Sequence, residues 1–155
     1  MEKTGIEKLP NWKLYHVGAV VKDMDKAIER YQKLGIGPFE SEKGATIVEK
    51  SMWGKPIALD SFELDARMAN MGPVYLELIQ PTRGDSLWKN LLEKGEGINH
   101  LCFFVDDLDK EEAWLVKEGY TVMYRSRYVK GGGCAYFDTS ETVGWILELF
   151  QPPPE

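Results

Sequence analysis

The sequence is short of the features that staple a chain or anchor it in a membrane. It has two cysteines, and no apolar run comes near the roughly 20 residues of a membrane span. Because the chain is long enough to bury a core without cross-links, we expect Cys102 and Cys134 to be reduced thiols. The N-terminal stretch MEKTGIEKLPNWK lacks the apolar core of a signal peptide. These absences predict a cytoplasmic protein that does not associate with a membrane.

A broad basic face is missing too. The net charge is -6, and acidic and basic residues are interspersed, which argues against nucleic acid as a partner. Hydrophobic residues make up 43% and charged residues 28%, a composition typical of globular proteins. We therefore expect residues 1–155 to form a single globular domain.

Histidine is equally scarce, and its two occurrences head the two copies of an internal repeat. Residues 16–35, HVGAVVKDMDKAIERYQKLG, align without a gap to residues 100–119, HLCFFVDDLDKEEAWLVKEG. The residue pattern of each copy is typical of an apolar strand followed by a turn and a helix. Asp23 and Asp107 are expected to cap the helix starts, and the glycine that ends each segment is expected to follow the helix in a left-handed conformation.

The second half of the repeat is also visible, because VYLELIQP at 74–81 mirrors WILELFQP at 145–152. Both segments end in a proline that we expect to stop a strand. Further strand candidates lie between these landmarks: ALDSFELDARM in the first copy, TVMYRSRYV and CAYFD in the second. The pattern predicts an α+β fold in which two tandem βαβββ modules form one curved mixed sheet around a metal site.

The repeat sets three boundaries: module one at about 12–82, a connector helix at about 84–96, and module two at about 97–152. The connector helix is expected to begin at Asp85 or Ser86 and to end at Gly95. The two histidines are 84 positions apart but the equivalent glutamates only 71, so module one is 13 residues longer. This extra length falls around residues 40–56, where glycines and lysines predict a loop or an added hairpin.

Four residues at equivalent positions of the two modules are candidate metal ligands: His16, Glu77, His100 and Glu148. Each glutamate lies inside an apolar strand run, where a bare charge carries a large desolvation penalty and needs a cation. Because side chains alternate along a strand, Glu77 faces away from Leu76 and Leu78, which we expect to pack on a helix. Imidazole nitrogen and carboxylate oxygen suit Co, Mn, Ni, Zn, Fe or Mg. The sequence predicts one such divalent ion, with positions left open for a substrate.

Three segments carry a resemblance to a known family: YHVGAVVKDMDKAIERYQKLG, GEGINHLCFFVDDLD, and KGGG followed by an aromatic strand and ILEL. They resemble the vicinal oxygen chelate superfamily, which includes glyoxalase I, extradiol dioxygenases, fosfomycin and bleomycin resistance proteins and methylmalonyl-CoA epimerases. The resemblance is closest to the epimerases. It implies the curved-sheet fold of that superfamily, a homodimer, and the same four residues as metal ligands. The chain departs from the epimerase pattern at Asn99, where a histidine is common, and at 138–140.

The resemblance also implies a metal-dependent isomerase that abstracts a proton next to a carbonyl. Its substrate is expected to be an acyl-CoA or another thioester or thiol adduct. Glu148 and Glu63 are the candidate acid and base residues, and Glu49 is a weaker substitute. Glu63 shares one strand face with Asp65 and Arg67, and we expect this face to point into the metal cavity.

Other functions stay open. A glyoxalase I-like lactoylglutathione lyase would use the same ligands and the same enediolate chemistry. A metal-free binding or resistance protein would hold a planar aromatic ligand with Trp53, Tyr75 or Trp145. An extradiol dioxygenase uses two histidines and one carboxylate, and Glu77 as a fourth ligand argues against it.

A basic segment in module two precedes a run of three glycines. Arg125, Arg127 and Lys130 are followed by Gly131, Gly132 and Gly133. This combination predicts an anion-binding loop for a CoA phosphate or a carboxylate.

Overall fold

The computed structural model describes residues 11–155, and their helices and strands follow the two-module pattern. Module one contains β1 (Lys13–Val20), α1 (Met24–Lys33), β2 (Glu40–Ser41), β3 (Ile47–Met52), β4 (Lys55–Ile57), β5 (Phe62–Asn70) and β6 (Tyr75–Gly84). The connector is α2 (Leu87–Lys94). Module two contains β7 (Gly97–Phe104), α3 (Leu108–Lys117), β8 (Val122–Tyr128), β9 (Gly133–Phe137), α4 (Ser140–Val143) and β10 (Ile146–Gln151). The predicted α+β fold of tandem βαβββ modules is confirmed, with one inserted hairpin.

The centre of the sheet is the antiparallel pair β1 and β7. Strand β6 runs parallel to β1, and β10 runs parallel to β7, so the four central strands obey a pseudo-twofold symmetry. The full order is β2-β5-β6-β1-β7-β10-β9-β8-β3-β4. The two copies of the repeat therefore pair with each other through their first strands.

The extra residues of module one form the hairpin β3–β4, which pairs with β8 of module two instead of its own module. In a flat sheet, the eight strand spacings from β2 to β3 would amount to about 38 Å. The chain from Ser41 to Ile47 takes six residue steps and reaches at most about 22 Å. The sheet must therefore curl. Residues 42–46, named the strap here, cross the open side between its two edges.

Both helices of the repeat begin and end as predicted. The carboxylates of Asp23 and Asp107 each accept a hydrogen bond at 3.1 Å from the amide three residues later. Gly35 and Gly119 follow the helices with φ of 85° and 97°, in the left-handed region that favours glycine. The connector helix is capped by Ser86, one of its two predicted starts, and ends at its predicted glycine.

Helices α1 and α3 cover the outer face of the sheet, which leaves the inner face free to surround a cavity. Leu76 and Leu78 of β6 pack in one cluster with Ala27 of α1, as the alternation predicts. In module two, Leu115 of α3 packs in the equivalent cluster with Leu149 of β10. Since neighbouring residues on a strand point to opposite faces, the glutamates between these leucines point inwards.

The expected strand stop at Pro81 is wrong, although β10 does end before Pro152. Strand β6 continues to Gly84. The Ile79 carbonyl accepts a hydrogen bond from the Val21 amide at 2.9 Å, at the end of the pairing with β1. Pro81, two residues later, directs its nitrogen to the same side, beyond that pairing. The proline therefore removes no ladder hydrogen bond.

The structure bears on two expectations from the sequence, that the cysteines are reduced and that no segment spans a membrane. Both cysteines are free and buried. Within residues 11–155, no helix combines the length and the apolar character needed to cross a membrane. Residues 1–10, which supply most of the stretch without a signal-peptide core, lie outside the described range.

Removing either helix cap should destabilise the fold. Asp23→Ala and Asp107→Ala each lose a bond to a helix amide that has no partner inside the helix. We expect each to lower the free energy of unfolding by about 1 kcal/mol, measured by urea titration with circular dichroism. The control is Asp106→Ala, an exposed carboxylate beside the cap, which should cost less than about 0.5 kcal/mol. Equal losses in all three variants would contradict the capping assignment.

Candidate metal centre

The four predicted ligands come from the four central strands and meet on the inner face of the sheet. His16 lies on β1, Glu77 on β6, His100 on β7 and Glu148 on β10. All four are buried, and none is more than 6% exposed. One ligand atom of each lies within 4.8 Å of those of the other three. The structure thus brings together the residues that the repeat singles out.

The distances between the ligand atoms suit one coordination sphere. His16 Nε2 lies 3.3 Å from His100 Nε2, 3.0 Å from Glu148 Oε2 and 3.3 Å from Glu77 Oε1. His100 Nε2 lies 3.2 Å from Glu77 Oε1 and 3.4 Å from Glu148 Oε2. Donors bound about 2.1 Å from one ion are about 3.0 Å apart at right angles and about 3.4 Å apart at tetrahedral angles. The residues present therefore fit a single divalent ion.

Protons stabilise the cluster when no ion is bound. Burial lowers the pKa of His16, but the carboxylates of Glu77 and Glu148 outweigh it and raise the pKa to about 11. Burial also lowers the pKa of His100, and the same carboxylates again raise it above its usual value. The two carboxylates thus favour positive charge at both rings. Binding of a metal ion would displace protons from these rings.

Gly18 and Asn99 position the His100 ring. A Cβ atom on residue 18 would lie 1.8 Å from His100 Cε1, so the ring occupies space that any larger residue would fill. The Asn99 side-chain oxygen lies 2.6 Å from His100 Nδ1 and accepts a hydrogen bond in the tautomer that leaves Nε2 free for a metal. Asn99, which departs from the epimerase pattern, thus orients the His100 ring.

A cavity of about 320 Å³ lies against the cluster. On the side of module one its wall is aliphatic, with Leu64, Ala66 and Ile79. Aromatic rings, hydroxyls and a thiol form most of the remaining wall: Tyr15, Trp88, Tyr124, Ser126, Tyr128, Cys134, Tyr136 and Phe150. Among the described residues, no lysine or arginine lines it. Beyond the cluster, the space therefore suits an uncharged and largely apolar group.

An outer cavity of about 580 Å³ adjoins the inner one, because both are lined by Tyr15, Tyr128 and Phe150. The outer cavity also contains Tyr75 and, on the strap, Lys43. The two cavities together lead from the cluster towards solvent.

The expectation that the Glu63 face of β5 points into the cavity is wrong. Met68 pairs with Glu77, and paired residues share a face, so it is the even-numbered residues of β5 that face inwards. The Glu63 carboxylate is instead 64% exposed and lies 3.3 Å from Arg83. Its two neighbours on that face bind each other at 2.7 Å.

The predicted anion-binding loop is not formed at the cavity. Arg125 binds Asp109 at 2.9 Å and Glu112 at 3.0 Å, and Arg127 also binds Asp109. Both arginines therefore face α3 on the outer side of the sheet. Lys130 is exposed in the turn that follows β8. The carboxylates of α3 already neutralise the two arginines of this segment.

The aromatic residues suggested for a metal-free binding protein do not gather in one place. Tyr75 lines the outer cavity and is 39% exposed. Trp53 and Trp145 border a different cavity, away from the cluster. Glu49, the weaker candidate base, is exposed on β3 opposite Arg127.

Two sets of cavity residues are absent from the sequence motifs. Tyr124, Ser126 and Tyr128 share the inward face of β8, and strict alternation in that segment is the signal that could have identified them. Glu42 belongs to the strap, and none of the sequence motifs includes it. Burial and the adjacent Glu77 carboxylate raise the pKa of Glu42 to about 9, and a cation bound to Glu77 would weaken that repulsion.

Comparison with known proteins agrees with this geometry. Residues 13–137 match the family model of the Glyoxalase/Bleomycin resistance protein/Dioxygenase superfamily. The methylmalonyl-CoA epimerase of Mycobacterium tuberculosis is 26% identical, with a TM-score of 0.65 over 92% of this chain and 89% of that chain. A single-residue variant of the Streptomyces coelicolor epimerase, in complex with 2-nitronate-propionyl-CoA, is 25% identical, with a TM-score of 0.64 over 90% of this chain and 93% of that chain. A methylmalonyl-CoA epimerase in complex with methylmalonyl-CoA and NH4+ has the same identity, TM-score and coverage of both chains.

Comparison with curated proteins gives no significant match. The family model nevertheless spans most of the chain and includes three of the four cluster residues, all except Glu148. The chain belongs to the glyoxalase/bleomycin resistance protein/dioxygenase superfamily.

Proposed function

We propose that this protein is a divalent-metal-dependent isomerase that abstracts the proton next to a thioester carbonyl, in the manner of a methylmalonyl-CoA epimerase. One observation carries the proposal. Two buried imidazoles and two buried carboxylates, with each imidazole 3.0 to 3.4 Å from both carboxylates, lie against a cavity wide enough for an acyl group.

The cluster suits this chemistry. A divalent ion bound there would act as a Lewis acid towards two substrate oxygens, which lowers the cost of the negative charge left by proton removal. His16, Glu77, His100 and Glu148 would hold the ion. Asn99 holds His100 in the orientation needed for binding, and the aromatic wall excludes water from the reacting carbon. Glu148, which lines the cavity, is a candidate for one proton transfer.

The cavities support an acyl-CoA or a related thioester as the substrate. The inner cavity takes the acyl group, and the outer cavity gives the thiol arm a path to solvent. Two of the structural relatives, each 25% identical, hold methylmalonyl-CoA or 2-nitronate-propionyl-CoA. These complexes support the same substrate class here.

Metal binding should depend on the cluster. We expect protein purified without chelators to carry about one divalent ion per chain, and His100→Ala to bind Co²⁺ at least about 100-fold more weakly because it removes a ligand. Glu77→Gln keeps an oxygen donor and should lose only about tenfold. Elemental analysis and calorimetric titration measure both. Glu63→Gln, remote from the cluster, is the control. Full metal content in His100→Ala would place the ion elsewhere.

Gly18→Ala should weaken metal binding although all four ligands are present. The added methyl group would displace the His100 ring, and we expect a loss of at least about tenfold in Co²⁺ affinity. Calorimetric titration of folded protein, checked by circular dichroism, measures it. Gly44→Ala is the matched control because an added Cβ there meets nothing within 4 Å. Unchanged affinity in Gly18→Ala would show that His100 does not need its present position.

The activity itself is tested by deuterium exchange into methylmalonyl-CoA. We expect metal-loaded protein in D2O to exchange the α-proton and invert the α-carbon, and chelation to reduce both rates at least about 100-fold, reversibly. A metal-loaded protein that leaves the α-proton untouched would overturn the proposal. Turnover of the hemithioacetal of methylglyoxal and glutathione instead would favour a lyase. Metal-free protein with tight aromatic-ligand binding would favour a resistance protein.

A further inference from the structure

The inner cavity continues beyond the mouth that it shares with the outer cavity. The residues that line both cavities mark this mouth: Tyr15, Glu42, Gly44, Ala45, Tyr128 and Phe150. Other aliphatic and aromatic residues line the inner cavity alone and belong to one core cluster: Leu64, Ala66, Ile79, Trp88, Tyr124 and Tyr136. The space between these side chains, named the deep pocket here, lies on the far side of the inner cavity from the exit.

Three aromatic rings form one wall of the deep pocket. The Trp88 ring, from the connector helix α2, lies 4.9 Å from the Tyr124 ring and 5.3 Å from the Tyr136 ring, centroid to centroid and edge to face. The Tyr136 ring in turn lies 5.3 Å from that of His100. All three aromatic residues are at most 4% exposed, so their neighbours hold them in place. The wall therefore runs from the metal cluster to α2, and a ligand ring could extend its edge-to-face packing.

The other wall of the deep pocket is aliphatic and contains one small side chain. Ala66 of β5 pairs with Ile79 of β6, and both line the cavity with Leu64. A methyl group at position 66 leaves space that a longer side chain would fill. None of the residues that define the deep pocket carries a charge, so the pocket suits an apolar ligand group.

The volume of the inner cavity indicates the size of the acyl group. A protein cavity of about 150 Å³ can hold benzene, which allows about 25 Å³ for each heavy atom. At that density the seven heavy atoms of a methylmalonyl group would fill about 175 Å³, and the thirteen of a benzylmalonyl group about 325 Å³. The cavity measures about 320 Å³. A methyl substituent would thus leave nearly half of it empty.

We infer that the preferred substrate is a thioester whose α-carbon carries an aromatic group, such as benzyl, in place of the methyl group of methylmalonyl-CoA. The inference rests on the proposed isomerase function. The oxygens of the acyl group lie at the cluster, and the thiol arm leaves through the outer cavity. The aromatic ring occupies the deep pocket between Ala66 and Trp88. Methylmalonyl-CoA is still accepted but leaves this pocket unfilled.

The test compares the affinity of Co²⁺-loaded protein for benzylmalonyl-CoA and for methylmalonyl-CoA by calorimetric titration. Because an apolar ring gains from burial, we expect wild-type protein to bind the benzyl thioester at least about tenfold more tightly. Ala66→Leu fills part of the deep pocket and should reduce this ratio to about threefold or less. Ala58→Leu, the same change at an exposed position outside both cavities, is the control and should keep the wild-type ratio. Circular dichroism checks the fold of both variants.

The comparison of the two thioesters in wild-type protein decides the inference even where a variant does not fold. Affinities within about threefold of each other, or tighter binding of the methyl thioester, would overturn it. A wild-type ratio in folded Ala66→Leu would overturn it too, because the ring would then bind outside the deep pocket. Exchange of the α-proton in D2O is measured separately with both thioesters. Exchange from neither, together with tighter binding of the benzyl thioester, would overturn the isomerase proposal and support the deep pocket as the site of the ring.

Discussion

Two carboxylates buried among apolar strands constrain the rest of the molecule. Glu77 and Glu148 are 4% and 6% exposed, and an uncompensated charge at such depth costs several kcal/mol. A positively charged group must therefore lie directly beside them. Strands β1 and β7 place the imidazoles of His16 and His100 there. The pairing of Gly18 with His100 sets the register of that central pair. A slip by one residue would turn one histidine towards the helices and leave a single imidazole beside both carboxylates.

The cluster is symmetric, whereas the walls of the cavity are not. The internal repeat supplies one imidazole and one carboxylate from each module, so both modules contribute the same side chains to the cluster. The walls differ: module one contributes aliphatic side chains, Tyr15 and the strap, and module two contributes further hydroxyls and a thiol along β8 and β9. The isomerase function proposed above requires a site that distinguishes two faces of one carbon, and such a difference would serve it. The insertion in module one supplies much of it.

The sequence predicts the elements of the repeat and the four cluster residues, because these depend on local patterns that occur twice. Caps such as Asp23 and the inward glutamates need only their own segment. The predicted inward face of β5 is wrong because alternation defines two faces without telling which one the partner strand turns inwards. Only the pairing of Met68 with Glu77 decides it, which excludes Glu63. The strap could not be predicted in this way, because no local pattern in residues 42–46 indicates that the chain crosses to the other module. Its path depends on the long-range pairing of β3 with β8.

The hairpin β3–β4 also changes what the sheet offers to other molecules. Without it, the outermost strand on that side would be β8, with seven residues and several aromatic side chains. With it, the sheet ends in β2 and β4, which have two and three residues. Pro56 further removes an amide from β4. Short edge strands, one of them with a proline, give an incoming strand few groups to pair with. The insertion that contributes to the cavity therefore also disfavours edge-to-edge aggregation.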